Sequence, residues 1–386
     1  MECAKIRTPD VNYDDLSERV IGYRRDLHQI PELGFLVYQT SAYVRDRLSR
    51  LDCEISEIVT TGLLAFFDFG KEETIVFRAD MDALPIEEAT GLPYASRNPG
   101  CMHACGHDGH MAGLLGFAEI LDRYKKDGFQ AGYNALLLFQ PAEETIDGAL
   151  RICGTHIFDK YNVKAIFGMH LWPMMAKGEI ASRPGPMMAR STAVDVTFEG
   201  VSAHCGEPQK GRDALASACR FVSDIYAYKD HHVRERSVLK FGKLESGNVR
   251  NAISPYAKLE GTMRTFYDNT WEHLVFAMKK LASEIEEAFG VKVSIDVSKS
   301  HPAVVNSEKL YSEIKPALMN LNYVELRRPV LIAEDFSFFE QQLPGVFFFI
   351  GTGSGIPLHS DDYDFDDSVI IEGVKLFNAL FTGLPA

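Results

Sequence analysis

The stretch from residue 102 to 110 reads Met-His-Ala-Cys-Gly-His-Asp-Gly-His and carries four imidazole or thiolate groups in nine residues. Further candidate ligands stand far downstream, in Gln-Pro-Ala-Glu-Glu (140–144), Gly-Met-His (168–170) and Pro-Leu-His-Ser (357–360). Thiolate, imidazole and carboxylate are the donors that hold zinc-like divalent ions, and such sets without a redox group suit hydrolysis. Donors so far apart can meet only if most of the chain folds around them. That favours a catalytic cavity over a locally closed finger. The competing reading is a structural cluster of Cys101, His103, Cys105 and His107. Structural sites usually pair their ligands in two halves, and the sequence offers no second half.

The first half alternates strands and helices. Residues 63–69, 74–79, 135–140 and 164–170 are apolar runs of strand length, as a sheet covered on both faces requires. Between them, residues 109–126 place Leu114, Leu115, Phe117, Ala118, Leu121 and Tyr124 at helical spacing. Segments 14–29 and 38–51 also read as helices. This βα pattern predicts a mostly parallel sheet, with the candidate ligands just after its strands, where open α/β sheets form their crevices.

From about Arg190 the rhythm changes. Strand-like runs at 192–198, 237–244, 256–266 and 291–298 and helical faces at 211–229 and 274–289 give the order β-α-β-β-α-β, a ferredoxin-like unit. After His301-Pro302 the α/β character returns, with a strand at 346–350 and a helix near 367–381. The expected organisation is a catalytic domain in two parts, residues 1–188 and 302–386, interrupted by an inserted domain, residues 189–301. Two domains suit 386 residues.

Composition narrows the function. A net charge of −14 argues against nucleic acid and anionic membranes as partners. No apolar run approaches the roughly 18 residues of a membrane-spanning helix, and MECAKIRTPD lacks the apolar core of a signal peptide. Seven scattered cysteines do not form a disulfide framework, so a cytoplasmic setting is expected.

Five motifs then occur in order: Arg-Ala-Asp-Met-Asp-Ala-Leu-Pro (78–85), Met-His-Ala-Cys-Gly-His-Asp (102–108), Gln-Pro-Ala-Glu-Glu, Gly-Thr-Met-Arg-Thr-Phe (261–266) and Ala-Glu-Asp-Phe (333–336). Together they resemble the hippurate hydrolase, auxin-conjugate hydrolase and N-acetyldiaminopimelate deacetylase group of the aminoacylase-type dinuclear metallopeptidases. The resemblance runs from about Tyr23 to the C-terminus. It implies a zinc-exopeptidase-like catalytic domain carrying a ferredoxin-like lid and dimerisation domain. It also implies two divalent ions per subunit, Mn²⁺ or Zn²⁺ first and Co²⁺ or Ni²⁺ next, held by Cys105, His107, Glu144, His170 and His359. Cys105 would bridge the ions as its thiolate.

The same resemblance makes Glu143 the general base facing the attacking water. Adjacent side chains on an extended segment point opposite ways, which separates Glu143 from the ligand Glu144. Asp82 suits the task of accepting the second N–H of a ligand imidazole, against ordinary capping or turn roles. His110 fits a packing histidine at least as well as a ligand and is left out of the site. His204 in Gly-Val-Ser-Ala-His-Cys would polarise the scissile carbonyl. Asn251 and Arg264 would hold the substrate's free carboxylate, their plainer readings being a loop cap and a surface ion pair. Many relatives carry Gly-Gly-His-Ala-Ala where this chain has Ser-Ala-His-Cys-Gly (202–206), so the pocket beside His204 differs. The expected function is metal-dependent hydrolysis of N-acyl-L-amino acids by a homodimer joined through the inserted domain. A dipeptidase or carboxypeptidase with the same centre is the alternative.

Overall fold

The computed structural model describes residues 11–145, 147–298 and 300–385. The ten N-terminal residues on which the signal-peptide reading rests lie outside them. The chain divides into two compact units. Unit 1 holds residues up to Gly185 together with Val305–Arg328 and Asp335–Ala386, and unit 2 holds Pro186–Val304 with Pro329–Glu334. The short segment Pro329–Glu334 therefore packs with the inserted unit, although its sequence position puts it in the returning catalytic part. Backbone hydrogen bonds explain this: Val330 N–H donates to Met187 and Ala189 N–H donates to Ile332.

Unit 1 is built on an eight-stranded sheet. Its order is Glu54–Ile58, Gly62–Phe67, Asn134–Gln140, Thr74–Asp80, Val163–Trp172, Gly345–Gly351, Ile180–Ser182 and Tyr323–Glu325. The central strands from Asn134–Gln140 to Gly345–Gly351 run parallel, and antiparallel pairings enter on either side. The three strands Thr74–Asp80, Asn134–Gln140 and Gly345–Gly351 are buried at every position. That is why their sequences read as near-continuous apolar runs and not as alternation. Helix His107–Lys126 packs on this sheet, with Phe117 at 4.8 Å from Phe77 between ring centroids. Helix Glu308–Leu318, absent from the sequence-based expectations, is capped by Ser307 accepting from Leu310 N–H and holds Pro316 in its last turn.

Unit 2 holds a five-stranded antiparallel sheet, four strands in the order Lys292–Asp296, Arg190–Glu199, Tyr256–Thr265 and Val238–Ser246, with the fifth, Ser300–His301, pairing onto the end of Arg190–Glu199. Helices Ala214–His232 and Asp268–Phe289 cover one face, where Val194, Val196, Phe198, Leu259 and Met263 meet Phe221, Leu274 and Met278. Alternation along Arg190–Glu199 leaves the odd positions on the other face. No helix among the described residues is long and apolar enough to cross a membrane.

Candidate metal centre

Three adjacent parallel strands of unit 1 deliver the site at their C-terminal ends. Strand Thr74–Asp80 runs into Asp82, strand Asn134–Gln140 into Glu143 and Glu144, and strand Val163–Trp172 carries His170. Cys105 lies just ahead of helix His107–Lys126, whose first residue is His107. Gly106 between them adopts φ +84°, and a Cβ there would meet the Tyr363 hydroxyl at 3.3 Å, so glycine suits this turn. His359 arrives on a distant loop and is tethered by its own N–H, which donates to Ala104 O at 2.8 Å. Its backbone is left-handed at φ +65°, as is that of Ala142 at φ +62° just before Glu143. Non-glycine residues adopt this region at a cost of about 1–2 kcal/mol, a pattern common where function fixes the backbone.

The donor atoms converge. Those of Cys105, His107 and His170 lie within 4.8 Å of one another, as do those of Cys105, Glu144 and His359. Cys105 Sγ thus belongs to both groups, 3.3 Å from His170 Nε2. Each buried imidazole is oriented from behind. His107 Nδ1 donates to Asp82 O at 2.7 Å and His170 Nδ1 donates to Leu171 O at 2.7 Å, which turns both Nε2 lone pairs inward. His107 Nε2 and Glu144 Oε1 are buried without a hydrogen-bond partner, although His359 Nε2 stands 3.5 Å from that oxygen. Buried polar atoms left unpaired cost about 1–3 kcal/mol each, which cations at the centre of these groups would offset. The donor set therefore fits divalent metal ions.

Electrostatics follow the same arrangement. Burial, and then the carboxylates of Glu144 and Glu143, push the Cys105 thiol well above its ordinary value. A positive ion beside the sulfur would reverse that and favour the thiolate. Burial and then His110 hold His170 well below the usual range, in the neutral form that ligates metals. Glu144 is opposed by burial, yet His359 and His107 keep its carboxyl low.

Two expectations need correction. Glu143 and Glu144 do not diverge, since Glu143 Oε2 and Glu144 Oε1 stand 4.0 and 3.9 Å from His107 Nε2. Residues 143–145 form a turn after the left-handed Ala142, so the alternation of an extended segment does not apply. Asp82 supports His107 through its backbone carbonyl, while its carboxylate Oδ1 remains 3.8 Å from Nδ1. That carboxylate instead accepts the N–H groups of Glu143 and Glu144 at 2.9 and 3.2 Å, fixing the turn that presents both. His110 is satisfied on both nitrogens, donating to Asp80 Oδ1 at 2.6 Å and accepting from Leu171 N–H at 2.9 Å.

In unit 2, His204 and Asn251 sit together, with Cys205 N–H donating to Asn251 O at 3.0 Å and His204 bridging to Ala252. His204 is exposed, and its Nδ1 accepts from Gly206 N–H at 3.0 Å, which leaves Nε2–H as an outward donor. Arg264 is elsewhere. Tyr256 pairs with Glu199 and Arg264 with Ser191, so the two ends of this strand are about 25 Å apart. One chain does not bring His204 and Asn251 to Arg264.

Residues 76–382 match peptidase family M20/M25/M40. The chain belongs to that family. An uncharacterized hydrolase of Staphylococcus aureus is 34% identical over 373 residues, which span 94% of this chain and 97% of that protein. One from Staphylococcus epidermidis is 33% identical with the same coverage. Among solved structures, the Bacillus subtilis YxeP protein, described as a dinuclear metal-binding peptidase of the M20 family, is 29% identical over 96% of this chain and 98% of its own. It superposes with a TM-score of 0.84. The M20 fold is thus the mixed α/β architecture with a large, mostly parallel sheet, and this chain is a metal-dependent hydrolase of that family.

Two buried networks that the sequence reading missed hold the M20 site in shape. Arg78, fully buried, donates to Gln140 Oε1 at 2.8 Å, Asp80 Oδ2 at 2.7 Å and Asp335 Oδ1 at 2.8 Å. Asp335 also accepts from Gln140 Nε2 and from Ala149 N–H at 2.9 Å. The ends of two strands and the first turn of helix Gly148–Cys153 are thereby locked together. Gly148 permits this closure, because a Cβ there would lie 2.1 Å from Pro141 O. A lone arginine in an apolar strand was the available signal, since a buried charge requires partners.

The second network joins Arg24 to Asp108 at 3.0 Å, Asp364 at 2.9 Å and Asp367, and joins His28 to Asp108 at 2.7 Å and Glu88 at 3.3 Å. Burial opposes a charge on His28, but Asp108 and Glu88 outweigh it and raise the imidazole to about 9 from 6.5. A raised folded-state value stabilises the fold fully below pH 6.5 and ceases to do so as pH rises through about 9. The shift corresponds to about 3 kcal/mol. Urea midpoints measured from pH 6.5 to 9.5 should therefore fall for the wild type and fall less steeply for His28→Gln. Parallel slopes would refute a charged His28.

Proposed function

We propose that this M20 hydrolase cleaves N-acyl-L-amino acids, or closely related amides, to a carboxylate and a free amino acid. The observation that carries the reading is Cys105 Sγ standing in both donor groups, the position of a shared ligand. Cys105, His107 and His170 would hold one divalent ion and Cys105, Glu144 and His359 the other. Mixed thiolate, imidazole and carboxylate donors suit Zn²⁺ or Mn²⁺, with Co²⁺ or Ni²⁺ as substitutes. Ions so bound lower the pKa of a coordinated water into the neutral range.

The remaining work belongs to the chain. Glu143, which shares a donor group with His107 and Glu144 but none with Cys105, takes the proton of the attacking water and returns it to the leaving amine. His204 donates Nε2–H to the developing oxyanion, and Arg264 pairs the substrate's α-carboxylate. Because His204 and Asn251 lie in loops beyond the Tyr256 end of a strand whose other end, about 25 Å away, carries Arg264, we assign them to the site of a second copy, which makes the enzyme a homodimer through the inserted unit. The six described cysteines are free, consistent with a cytoplasmic enzyme.

The experiment is a substrate panel of N-acetyl-amino acids, N-benzoyl-amino acids and dipeptides, assayed before and after chelation. Chelation should abolish cleavage, and Mn²⁺ or Zn²⁺ should restore it. Full activity in protein shown to be metal-free by elemental analysis would overturn the proposal. Cleavage confined to dipeptides would favour the dipeptidase alternative, which the peptidase description of the Bacillus subtilis relative supports.

A further inference from the structure

The helix-free face of the unit 2 sheet carries a row of side chains with a specific charge balance. Arg264 and His301 each pair directly with Ser191, from opposite sides of the same strand. Directly opposed residues in antiparallel pairs project from the same face. Thr192 and Met263, one step along, belong to the helix-covered side, where Thr192 accepts from Trp271 Nε1 at 3.0 Å. Arg264, Ser191 and His301 therefore share the face that carries no helix, where His301 is buried and Arg264 and Ser191 are partly buried.

Lys258 and Lys243 of this sheet have carboxylates at hand, and Lys240 lies over the Tyr226 ring. Lys258 lies 3.6 Å from Asp195, and Lys243 lies 3.1 Å from Glu245 and 3.2 Å from Glu260. Arg264 is half-buried, and among the described residues no carboxylate offsets that burial, which alone lowers its guanidinium from the ordinary value. A desolvated cation without an anion is stable when an anion arrives from outside. The other end of the row is neutral. Burial, and then the charge of Arg264, lower His301 to about 4, so its ring is uncharged near neutral pH. The row thus offers one positive charge, a planar fork and an imidazole. The fork suits a carboxylate, and one positive charge balances a single negative one rather than a dianion.

We propose that His301 is the second arm of the carboxylate-binding site, donating a ring N–H to the substrate's α-carboxylate while Arg264 pairs it, so that substrates must carry a free carboxylate next to the scissile amide. This rests on the reading of Arg264 given above and adds a residue that no motif marks.

The test uses metal-loaded enzyme, the best-cleaved member of the panel and its α-carboxamide. Its readout is the acid-to-amide ratio of kcat/KM. That ratio is independent of the fraction of folded enzyme, so a poorly folding variant still reports. The wild type should prefer the acid. His301→Phe should lower the preference at least about tenfold, the worth of a hydrogen bond to a charged group, mainly through KM. His301→Gln, which keeps a donor, should retain more of it. In parallel, the product amino acid should raise Tm more than its amide in the wild type and no more than its amide in His301→Phe. An unchanged ratio in His301→Phe, with the ratio lost in Arg264→Ala, would overturn the role of His301 alone. A wild type indifferent to the carboxylate would overturn the reading of Arg264 itself.

Discussion

Glu143→Gln is expected to keep its metal and lose kcat by about 10²–10⁴-fold, the range for loss of a general base. Glu144→Gln is expected to lose metal. The two glutamates are adjacent, and their carboxylates stand within 0.1 Å of the same distance from His107 Nε2, 4.0 and 3.9 Å. Distance to His107 therefore does not separate them. Company does, because Glu144 shares a donor group with Cys105 and His359 and keeps a buried unpaired oxygen there. Amide isosteres preserve shape while removing the charge and the basic oxygen. Elemental analysis of the two purified variants after identical dialysis decides the matter. Equal metal contents would refute the division of roles, whatever the activities.

Mixing two inactive variants should restore activity. His204→Ala alone should cost about 10²–10³-fold, as for loss of one oxyanion donor. In a dimer where His204 serves the partner's site, a subunit with His204→Ala and one with Glu143→Gln together contain one intact site. Random assortment at equal amounts should then recover about a quarter of wild-type activity, since half the dimers are mixed and each has one good site of two. The separation of His204 from Arg264 along the strand Tyr256–Thr265 motivates the experiment. No recovery after verified subunit exchange would show that each chain uses its own His204.

Much of this protein is legible without coordinates. The central strands announce themselves because burial on both faces demands near-continuous apolar runs, and helix His107–Lys126 because its large apolar residues recur at helical spacing. The β-α-β-β-α-β order of unit 2 is likewise visible, since an uncovered sheet face forces alternation. The candidate donors are legible as chemistry because cysteine, histidine and glutamate cluster after strand ends, although His110 of the same stretch is held by Asp80 and Leu171 instead.

What the sequence determined, then, was the inventory of elements and reactive groups, which depends on local periodicity and residue type. Tertiary structure alone decided how they meet. The left-handed Ala142 turned two neighbouring glutamates the same way, and a backbone carbonyl rather than a carboxylate of Asp82 oriented His107. Asp335 reached Arg78 across more than 250 residues of chain, |i−j| 257, and His301 joined the row of Arg264 through strand register. Such pairings leave no local trace. A buried charge specifies that it must have a partner, but only the packed fold chooses which one.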